Sequence, residues 1–288
     1  MTASERALTF ECNGERMVGV VAPPDRAAAT GVLIVVGGPQ YRAGSHRQFV
    51  HLARRLAREG IAAMRFDYRG MGDASGDARS FDDVSEDIAA AIDAFRRVCP
   101  TIARVVIWGL CDAASAALIY ADANPDASIA GIVLVNPWVR SDTTMARTQI
   151  RHYYAKRLFD RAFWSRFLRG RVAMRDALAD VTRAARIAHG ASKPDRDAGV
   201  SFQDRMASGL STFAGPVLLI LSGRDLTARE FEEYSSTDPR WKGLLARHSI
   251  ERRDFDDADH TFSAKQWRDE VETATVEWIE RHVMQASR

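Results

Sequence analysis

The sequence predicts an α/β protein built on a mostly parallel sheet, and three observations lead to that prediction. Short apolar runs rich in β-branched residues alternate with segments whose apolar residues recur at helical spacing. Glycine, proline or acidic residues typical of loops separate these segments. The chain has 288 residues, 46% of them apolar and 27% charged, which is typical of one large globular domain or two small ones. Strands that alternate with helices form parallel sheets with helices on both faces.

The first half of the chain begins with a predicted β-hairpin, because Asn13 and Gly14 favour the positive φ angles of a tight turn. The predicted strands of this half are residues 8–12, 16–22, 31–36, 61–66, 105–108 and 129–135. Helices are predicted between the later strands: one from Phe49 that Gly60 closes, one over residues 80–99 with Ser80 as its N-cap, and one over residues 111–123.

The second half interrupts this alternation. Residues 138–212 are helical, basic and aromatic in pattern, and they precede two further predicted strands, 217–221 and 249–255. Thr227 and Glu230 form a predicted capping box for the helix between those strands, and a closing helix ends the chain. The sequence therefore predicts an α/β core of residues 1–137 and 213–288, with a helical cap of residues 138–212 inserted between two core strands.

Charge is distributed unevenly along the chain. The net charge is +2, but residues 138–200 hold 14 basic and six acidic side chains, so that segment carries +8 and the remainder −6. One interpretation of such a run is a helix face that is exposed to solvent and has no binding role. The other is a surface that binds an anionic partner: an acidic acyl carrier protein, the phosphates of CoA or an anionic membrane surface. A nucleic-acid partner is not expected, because no binding motif is present.

Several classes of protein are not expected from the sequence. The three cysteines are separated from one another, so neither a disulfide framework nor a zinc site is predicted. No run of about 18 apolar residues and no signal peptide is recognisable, so a cytoplasmic location is expected. The histidines lack metal-ligand spacing, and phosphate-loop and dinucleotide patterns are missing, so no metal or cofactor is expected.

The segment Gly109-Leu-Cys-Asp-Ala113 joins a predicted strand to a predicted helix. It matches the nucleophile-elbow pattern, with Cys111 in the position that serine usually occupies and alanine in place of the second glycine. Small residues are needed two positions before and after the nucleophile, because the tight turn packs them against neighbouring backbone. The elbow also places Cys111 at a helix N-terminus, which favours a thiolate. The alternative is that Cys111 is an inert buried cysteine.

A cysteine nucleophile needs a base and a group that orients the base. In folds with this elbow the acid and then the histidine follow the nucleophile along the chain. Asp225 follows the strand at 217–221, and His260 follows the strand at 249–255, so both have the required order. A Cys111–His260–Asp225 triad is therefore predicted. The alternative acids, all close to the histidine, are Asp256, Asp257 and Asp259.

Acyl transfer also requires donors for the oxyanion that develops on the substrate. The predicted donors are the backbone N–H groups of Asp112 and Gly38, with Gln40 as the second choice for the latter, because the intervening proline has no N–H. The next polar residues along this loop are predicted to hold a substrate carboxylate or phosphate, unless they are only solvated. These tentative substrate-binding residues are Gln40, Arg42, His46 and Arg47.

These motifs resemble those of the α/β-hydrolases over nearly the whole chain. Residues 66–75, Phe-Asp-Tyr-Arg-Gly-Met-Gly-Asp-Ala-Ser, are similar to the segment after the fourth strand of that superfamily. Residues 37–47 and 109–115 resemble a narrower group, the hydrolases associated with exosortase A systems. That resemblance implies a Cys–His–Asp hydrolase encoded beside exopolysaccharide and protein-sorting genes, often near an acyl-CoA ligase and an acyl carrier protein. The resemblance does not identify the substrate.

A cysteine nucleophile favours thioester substrates, because the acyl-cysteine intermediate is itself a thioester. The predicted function is therefore a thioesterase or acyltransferase that acts on CoA-bound or carrier-bound acyl groups. One alternative is a hydrolase of small esters or lactones, of the dienelactone-hydrolase type. Another is a non-catalytic binding protein on the same fold, although such a protein would have no need of an intact triad.

Overall fold

The computed structural model describes residues 5–38, 40–125, 129–140 and 200–285. The described part forms one eight-stranded sheet with the order β1-β2-β4-β3-β5-β6-β7-β8. Strands β1 and β2, and β2 and β4, pair antiparallel, and the other five pairings are parallel. The strands are β1 (Arg6–Cys12), β2 (Glu15–Ala22), β3 (Thr30–Val35), β4 (Ala62–Asp67), β5 (Arg104–Leu110), β6 (Ile129–Val135), β7 (Val217–Ser222) and β8 (Ile250–Phe255).

The central strands account for the continuous apolar runs in the sequence. Every residue of β3, β4 and β7 is buried, although successive side chains of a strand point to opposite faces. Both faces of the sheet are therefore covered there, as expected for parallel strands. The predicted fold class, a mostly parallel sheet between helices, is confirmed.

Helices connect the strands and cover the sheet. They are α1 (Gln48–Arg58), α2 (Ser85–Val98), α3 (Asp112–Ala123), α4 (Phe202–Thr212), α5 (Leu226–Thr237) and α6 (Lys265–Ile279). Helix α1 contacts α6, whereas α3 contacts both α2 and α4. The predicted apolar face of α1 is buried. None of the described helices has the length and apolar character needed to cross a bilayer.

The hairpin at the start of the sheet has the predicted turn. Asn13 and Gly14 have φ angles of 50° and 81°, and the flanking residues Cys12 and Glu15 are paired.

Two predicted helix starts are wrong. Ser80 makes no capping hydrogen bond, because a short 3₁₀ turn intervenes and α2 begins only at Ser85. The second is at Thr227, where a different side chain takes the capping role described below.

The chain divides into two compact units, residues 1–138 with 202–288, and residues 139–201. Helix α4, which the sequence predicted within the cap, packs on α3 in the first unit. The helices approach so closely that a Cβ added to Gly209 would lie 2.0 Å from the carbonyl oxygen of Leu118. Most of the predicted cap, with its basic and aromatic residues, lies outside the described residues, so its architecture stays a prediction.

Candidate active site

Cys111 lies in a strained turn between β5 and α3, with φ 63° and ψ −126°. Such a backbone conformation costs on the order of 1–3 kcal/mol for a non-glycine residue. The turn is held by the Cys111 N–H, which donates to the Val135 carbonyl at 2.8 Å, and by the Trp138 N–H, which donates to the Cys111 carbonyl at 3.2 Å. A Cβ on Gly109 would lie 2.5 Å from the backbone of Ala113, so glycine is required there. The geometry is that of the predicted elbow.

His260 lies between the predicted acid and the predicted nucleophile. Its Nδ1 is 2.7 Å from Oδ2 of Asp225, which leaves Nε2 for the Cys111 sulfur. The hydrogen bonds to Asp225 and then to Cys111 raise the pKa of His260 to about 10. The imidazole therefore holds its proton between the Asp225 carboxylate and Cys111, where it can give that proton to a leaving group.

Asp225 has a second role that fixes its orientation. Its carboxylate is the N-cap of α5, where Oδ1 accepts the Thr227 N–H and Oδ2 accepts the Ala228 N–H, both at 3.1 Å. Three donors therefore converge on one buried carboxylate, two from the backbone and one from His260. The capping box predicted at Thr227 is wrong, because Asp225 supplies two acceptor oxygens two residues earlier.

The alternative acids have other partners. Asp257 is exposed and pairs with Arg224, and Asp259 accepts the backbone N–H groups of Thr261 and Ser263. Asp256 is also exposed. The structure therefore brings Asp225, and not these neighbours, against the histidine.

Asn136 is a positioning residue that sequence reasoning missed. It is fully buried at the end of β6. Its amide nitrogen donates to the Ser222 hydroxyl at 2.8 Å and to the His260 carbonyl at 3.1 Å, while its oxygen accepts the Ser222 N–H at 2.9 Å. The side chain thus ties β6, β7 and the histidine loop together. The Asn-Pro pair after a strand was the available signal, but it indicates only a turn.

The predicted oxyanion donors face an unexpected group. The Gly38 N–H donates to Oδ2 of Asp112 at 2.8 Å. The N–H of Gln40, the second choice, donates to the Gly38 carbonyl at 2.8 Å, and its side-chain oxygen accepts the Ser45 N–H at 3.2 Å. Both backbone donors predicted on this loop therefore have acceptors within the protein itself.

Arg42 also has partners within the protein. It donates to the buried Asp67 from its backbone N–H at 2.6 Å and from its guanidinium, which contacts Asp73 at 2.6 Å as well. Two carboxylates neutralise this guanidinium, which argues against the predicted anion-binding role. His46 and Arg47 have exposed side chains and left-handed backbones, with φ 52° and 60°, and their role in substrate binding stays a prediction. No cluster of metal-ligating side chains occurs within the described ranges.

Comparison with known proteins identifies the family. A family model described as serine aminopeptidase S33 matches residues 28–226, which span the predicted oxyanion loop, the elbow and Asp225. The chain belongs to this family. Its members are α/β-hydrolases, and the fold predicted from the sequence is confirmed. The family description names a serine, whereas this chain has Cys111 at the elbow. No curated protein matches the sequence.

Several solved structures share the fold at low identity. An esterase from Pyrococcus furiosus has a TM-score of 0.65 and 17% identity over 97% of this chain and 91% of its own. Est1E from Butyrivibrio proteoclasticus, solved with ferulic acid bound, has a TM-score of 0.64 and 14% identity over 96% and 99%. A dienelactone hydrolase from Anabaena variabilis has a TM-score of 0.62 and 15% identity over 98% and 99%. The narrower resemblance to hydrolases of exosortase A systems stays a prediction.

Proposed function

We propose that this hydrolase is an acyl-transfer enzyme with a Cys111–His260–Asp225 triad, and that its substrates are thioesters. The observation that carries the proposal is the arrangement of His260, which is hydrogen-bonded to Asp225 on one side and to Cys111 on the other. A strained elbow exposes the thiol at the start of a helix, and the histidine beside it holds a proton for the leaving group.

Acylation follows from these positions. The Cys111 thiolate attacks the carbonyl carbon, a C–S bond forms, and the carbonyl electron pair moves onto oxygen. The tetrahedral intermediate then expels the leaving thiolate, which takes the proton that His260 holds on Nε2. The products are an acyl-cysteine and a free thiol. Asp225 stabilises the imidazolium before transfer and keeps Nε2 directed at the sulfur.

The leaving group is the reason for preferring thioesters. Exchange between a thioester substrate and an acyl-cysteine is close to isoenergetic, because the bond broken and the bond formed are both C–S bonds. An oxyester must expel an alkoxide, which is a poorer leaving group than the Cys111 thiolate itself. The intermediate from an oxyester therefore tends to collapse back to substrate.

The second half-reaction decides between hydrolysis and transfer. Neutral His260 accepts a proton from water, or from an acceptor thiol, amine or hydroxyl, as that nucleophile attacks the acyl-cysteine. Cys111 then leaves as the thiolate, and the imidazolium–thiolate pair is restored. Release to water makes a thioesterase, and release to another acceptor makes an acyltransferase.

The basic segment at residues 138–200 suggests how the substrate is presented. Its charge of +8 suits the phosphates of CoA or an acidic acyl carrier protein. Charge-reversing Arg→Glu changes in this segment should slow turnover of a carrier-bound acyl group and leave a truncated thioester unaffected. Equal loss with both substrates would exclude a role in binding a carrier protein.

A matched pair of substrates tests the proposal. A thioester and an oxyester with the same acyl group are compared with the wild type and with Cys111→Ser. The wild type should have the higher kcat/KM for the thioester, and Cys111→Ser should lose most of that activity because the hydroxyl is not ionised. Equal thioester turnover by Cys111→Ala would overturn the proposed nucleophile, and equal thioester turnover by Cys111→Ser would overturn the requirement for a thiolate.

A second candidate, hydrolysis of small esters or lactones, is favoured by the solved structures with the same fold, which include esterases and a dienelactone hydrolase. The same substrate pair distinguishes it, because a preference for the oxyester would favour this candidate.

A further inference from the structure

The carboxylate of Asp112 lies against a donor that the sequence predicts for the oxyanion. Its Oδ2 accepts the Gly38 N–H at 2.8 Å, and its own residue carries the other predicted donor, the backbone N–H of Asp112. A side chain of the protein therefore occupies a donor that the sequence assigns to the substrate.

Close packing holds this carboxylate in place. A Cβ on Gly37 would lie 1.9 Å from Oδ1 of Asp112, so only glycine leaves room for it. Oδ1 is buried, and none of the residues that the structure describes donates a hydrogen bond to it. The groups that face the carboxylate are His260 from the histidine loop, Tyr68 from the loop after β4, and the N–H of Ala113 on its own helix. Burial raises the pKa of Asp112 above its usual range.

We propose that Asp112 is a specificity-determining residue that competes with the substrate carbonyl for the Gly38 N–H, one of the two predicted oxyanion donors. In the resting protein the carboxylate accepts this N–H. Acylation proceeds when the substrate carbonyl displaces it, or when protonation makes the carboxyl a weaker acceptor. The inference rests on the proposed acyl-transfer function, since it assigns the occupant of that site's oxyanion pocket.

The competition has a physical basis in charge. A carboxylate forms stronger hydrogen bonds with N–H donors than a neutral carbonyl oxygen does. A developing oxyanion matches it in charge, so the donors return to the substrate as the transition state forms. A negative carboxylate that stayed in the pocket would also repel the oxyanion. Asp112 therefore opposes binding of the ground-state carbonyl and favours substrates whose binding energy can move it.

Peptide or acyl aldehydes report on this pocket without turnover. The Cys111 sulfur adds to the aldehyde carbon, the carbonyl electron pair moves to oxygen, and the hemithioacetal oxygen takes the place of the oxyanion or accepts the proton from His260. We suggest measuring the inhibition constant of one aldehyde for the wild type, Asp112→Ala and Asp112→Asn between pH 5 and 9. Each value is expressed relative to Asp112→Ala at the same pH, so that pH effects common to all the variants cancel.

Asp112→Ala, which keeps the backbone N–H and removes the competitor, should bind the aldehyde more tightly than the wild type by at least about tenfold. The upper bound is the ~10²–10³-fold that one oxyanion donor contributes. Asp112→Asn should lie between them, because its oxygen accepts the Gly38 N–H without a charge. The difference between the wild type and Asp112→Ala should shrink as the pH falls and the carboxyl is protonated.

The opposite order would overturn the inference. If Asp112 only holds the loop in shape, Asp112→Ala binds the aldehyde more weakly, and Asp112→Asn restores wild-type affinity at every pH. If Asp112→Ala does not fold, the wild type and Asp112→Asn still decide, because their affinities for the aldehyde should converge at low pH and separate at high pH.

Iodoacetamide alkylation of Cys111, which needs no oxyanion pocket, distinguishes failure of the proposed function from failure of the role of Asp112. Absent alkylation and absent aldehyde binding in all variants would contradict the proposed function, whereas normal alkylation with equal aldehyde affinities would contradict only the role of Asp112.

Discussion

Replacement of Asp225 separates its two roles, because the same carboxylate caps α5 and orients His260. In Asp225→Asn the amide nitrogen must replace one oxygen. If it replaces Oδ2, it faces the donors of both Ala228 and His260, whereas at Oδ1 it faces only the Thr227 N–H. We therefore expect the amide nitrogen at the Oδ1 position. This orientation keeps the hydrogen bond from the Ala228 N–H and the contact with Nδ1 of His260, and it loses the hydrogen bond from the Thr227 N–H and the negative charge.

The two substitutions differ in their expected magnitudes. Loss of the cap in Asp225→Ala should cost about 1 kcal/mol of unfolding free energy, which lowers the Tm by roughly 2–4 °C in a domain of this size. Loss of the contact with His260 should lower the Tm further at neutral pH. Asp225→Asn should cost less than that. Both should reduce kcat/KM by about 10²–10⁴-fold, which is the contribution of positioned proton transfer, because neither can stabilise the imidazolium.

The assay pairs thermal unfolding with thioester turnover for both variants, and Asp257→Asn is the matched control. That neighbouring aspartate is exposed and pairs with the exposed Arg224, so its substitution should change neither Tm nor rate. Wild-type turnover by Asp225→Asn would refute the reasoning. An equal loss of activity in Asp257→Asn would also refute it, because it would identify the wrong acid.

Three further predictions concern the surroundings of the triad. Asn136→Ala leaves the Ser222 and His260 partners unsatisfied and should lower the unfolding free energy by about 1–3 kcal/mol and reduce kcat. Because Asn136 has a φ of 45°, which strains an alanine, Asn136→Gly is the control for backbone strain, and an unchanged kcat would exclude the positioning role. Arg42→Ala leaves the buried Asp67 without its guanidinium and should destabilise by about 3 kcal/mol with little change in KM, whereas a large rise in KM at unchanged Tm would restore the anion-binding role. The folded-state pKa of His260 is raised to about 10, so its contribution to the unfolding free energy should be complete below about pH 6.5 and lost as the pH rises through 10. The unfolding free energies of the wild type and His260→Gln, measured with urea, should converge over that range. Parallel curves of unfolding free energy against pH would contradict the prediction.

Local signals in the sequence were sufficient to predict the strands and the candidate triad. Gly109 and Ala113 mark a turn that tolerates only small residues, and this constraint is visible within five residues of sequence. Asp225 and His260 follow predicted strands in a required order, so their meeting follows from the parallel sheet. The helix starts were less predictable, since Thr227 and Asp225 both have the chemistry of an N-cap and only the backbone direction decides between them.

Contacts distant in sequence could not be predicted. The amide of Asn136 reaches partners 86 and 124 residues away, and no local pattern records that distance. The same holds for the hydrogen bond from Gly38 to Asp112, which spans 74 residues, and for the pair of Arg42 with Asp67, which spans 25. In each case a polar group on one loop has a partner that the folded sheet brings to the same edge. The sequence shows the donor or the acceptor, but it does not show which group is its partner.

Covalent chemistry at Cys111 is tested most directly by intact mass. The wild type and Cys111→Ala are incubated with a panel of acyl-CoA and acyl-carrier thioesters, and free thiol is followed in the same tubes. The expected result is an acyl adduct or thiol release that requires Cys111; a persistent adduct would indicate a missing acceptor, and rapid release a hydrolase. Neither adduct nor thiol release from the wild type across the panel, with Cys111 still open to alkylation, would contradict the proposed thioester chemistry.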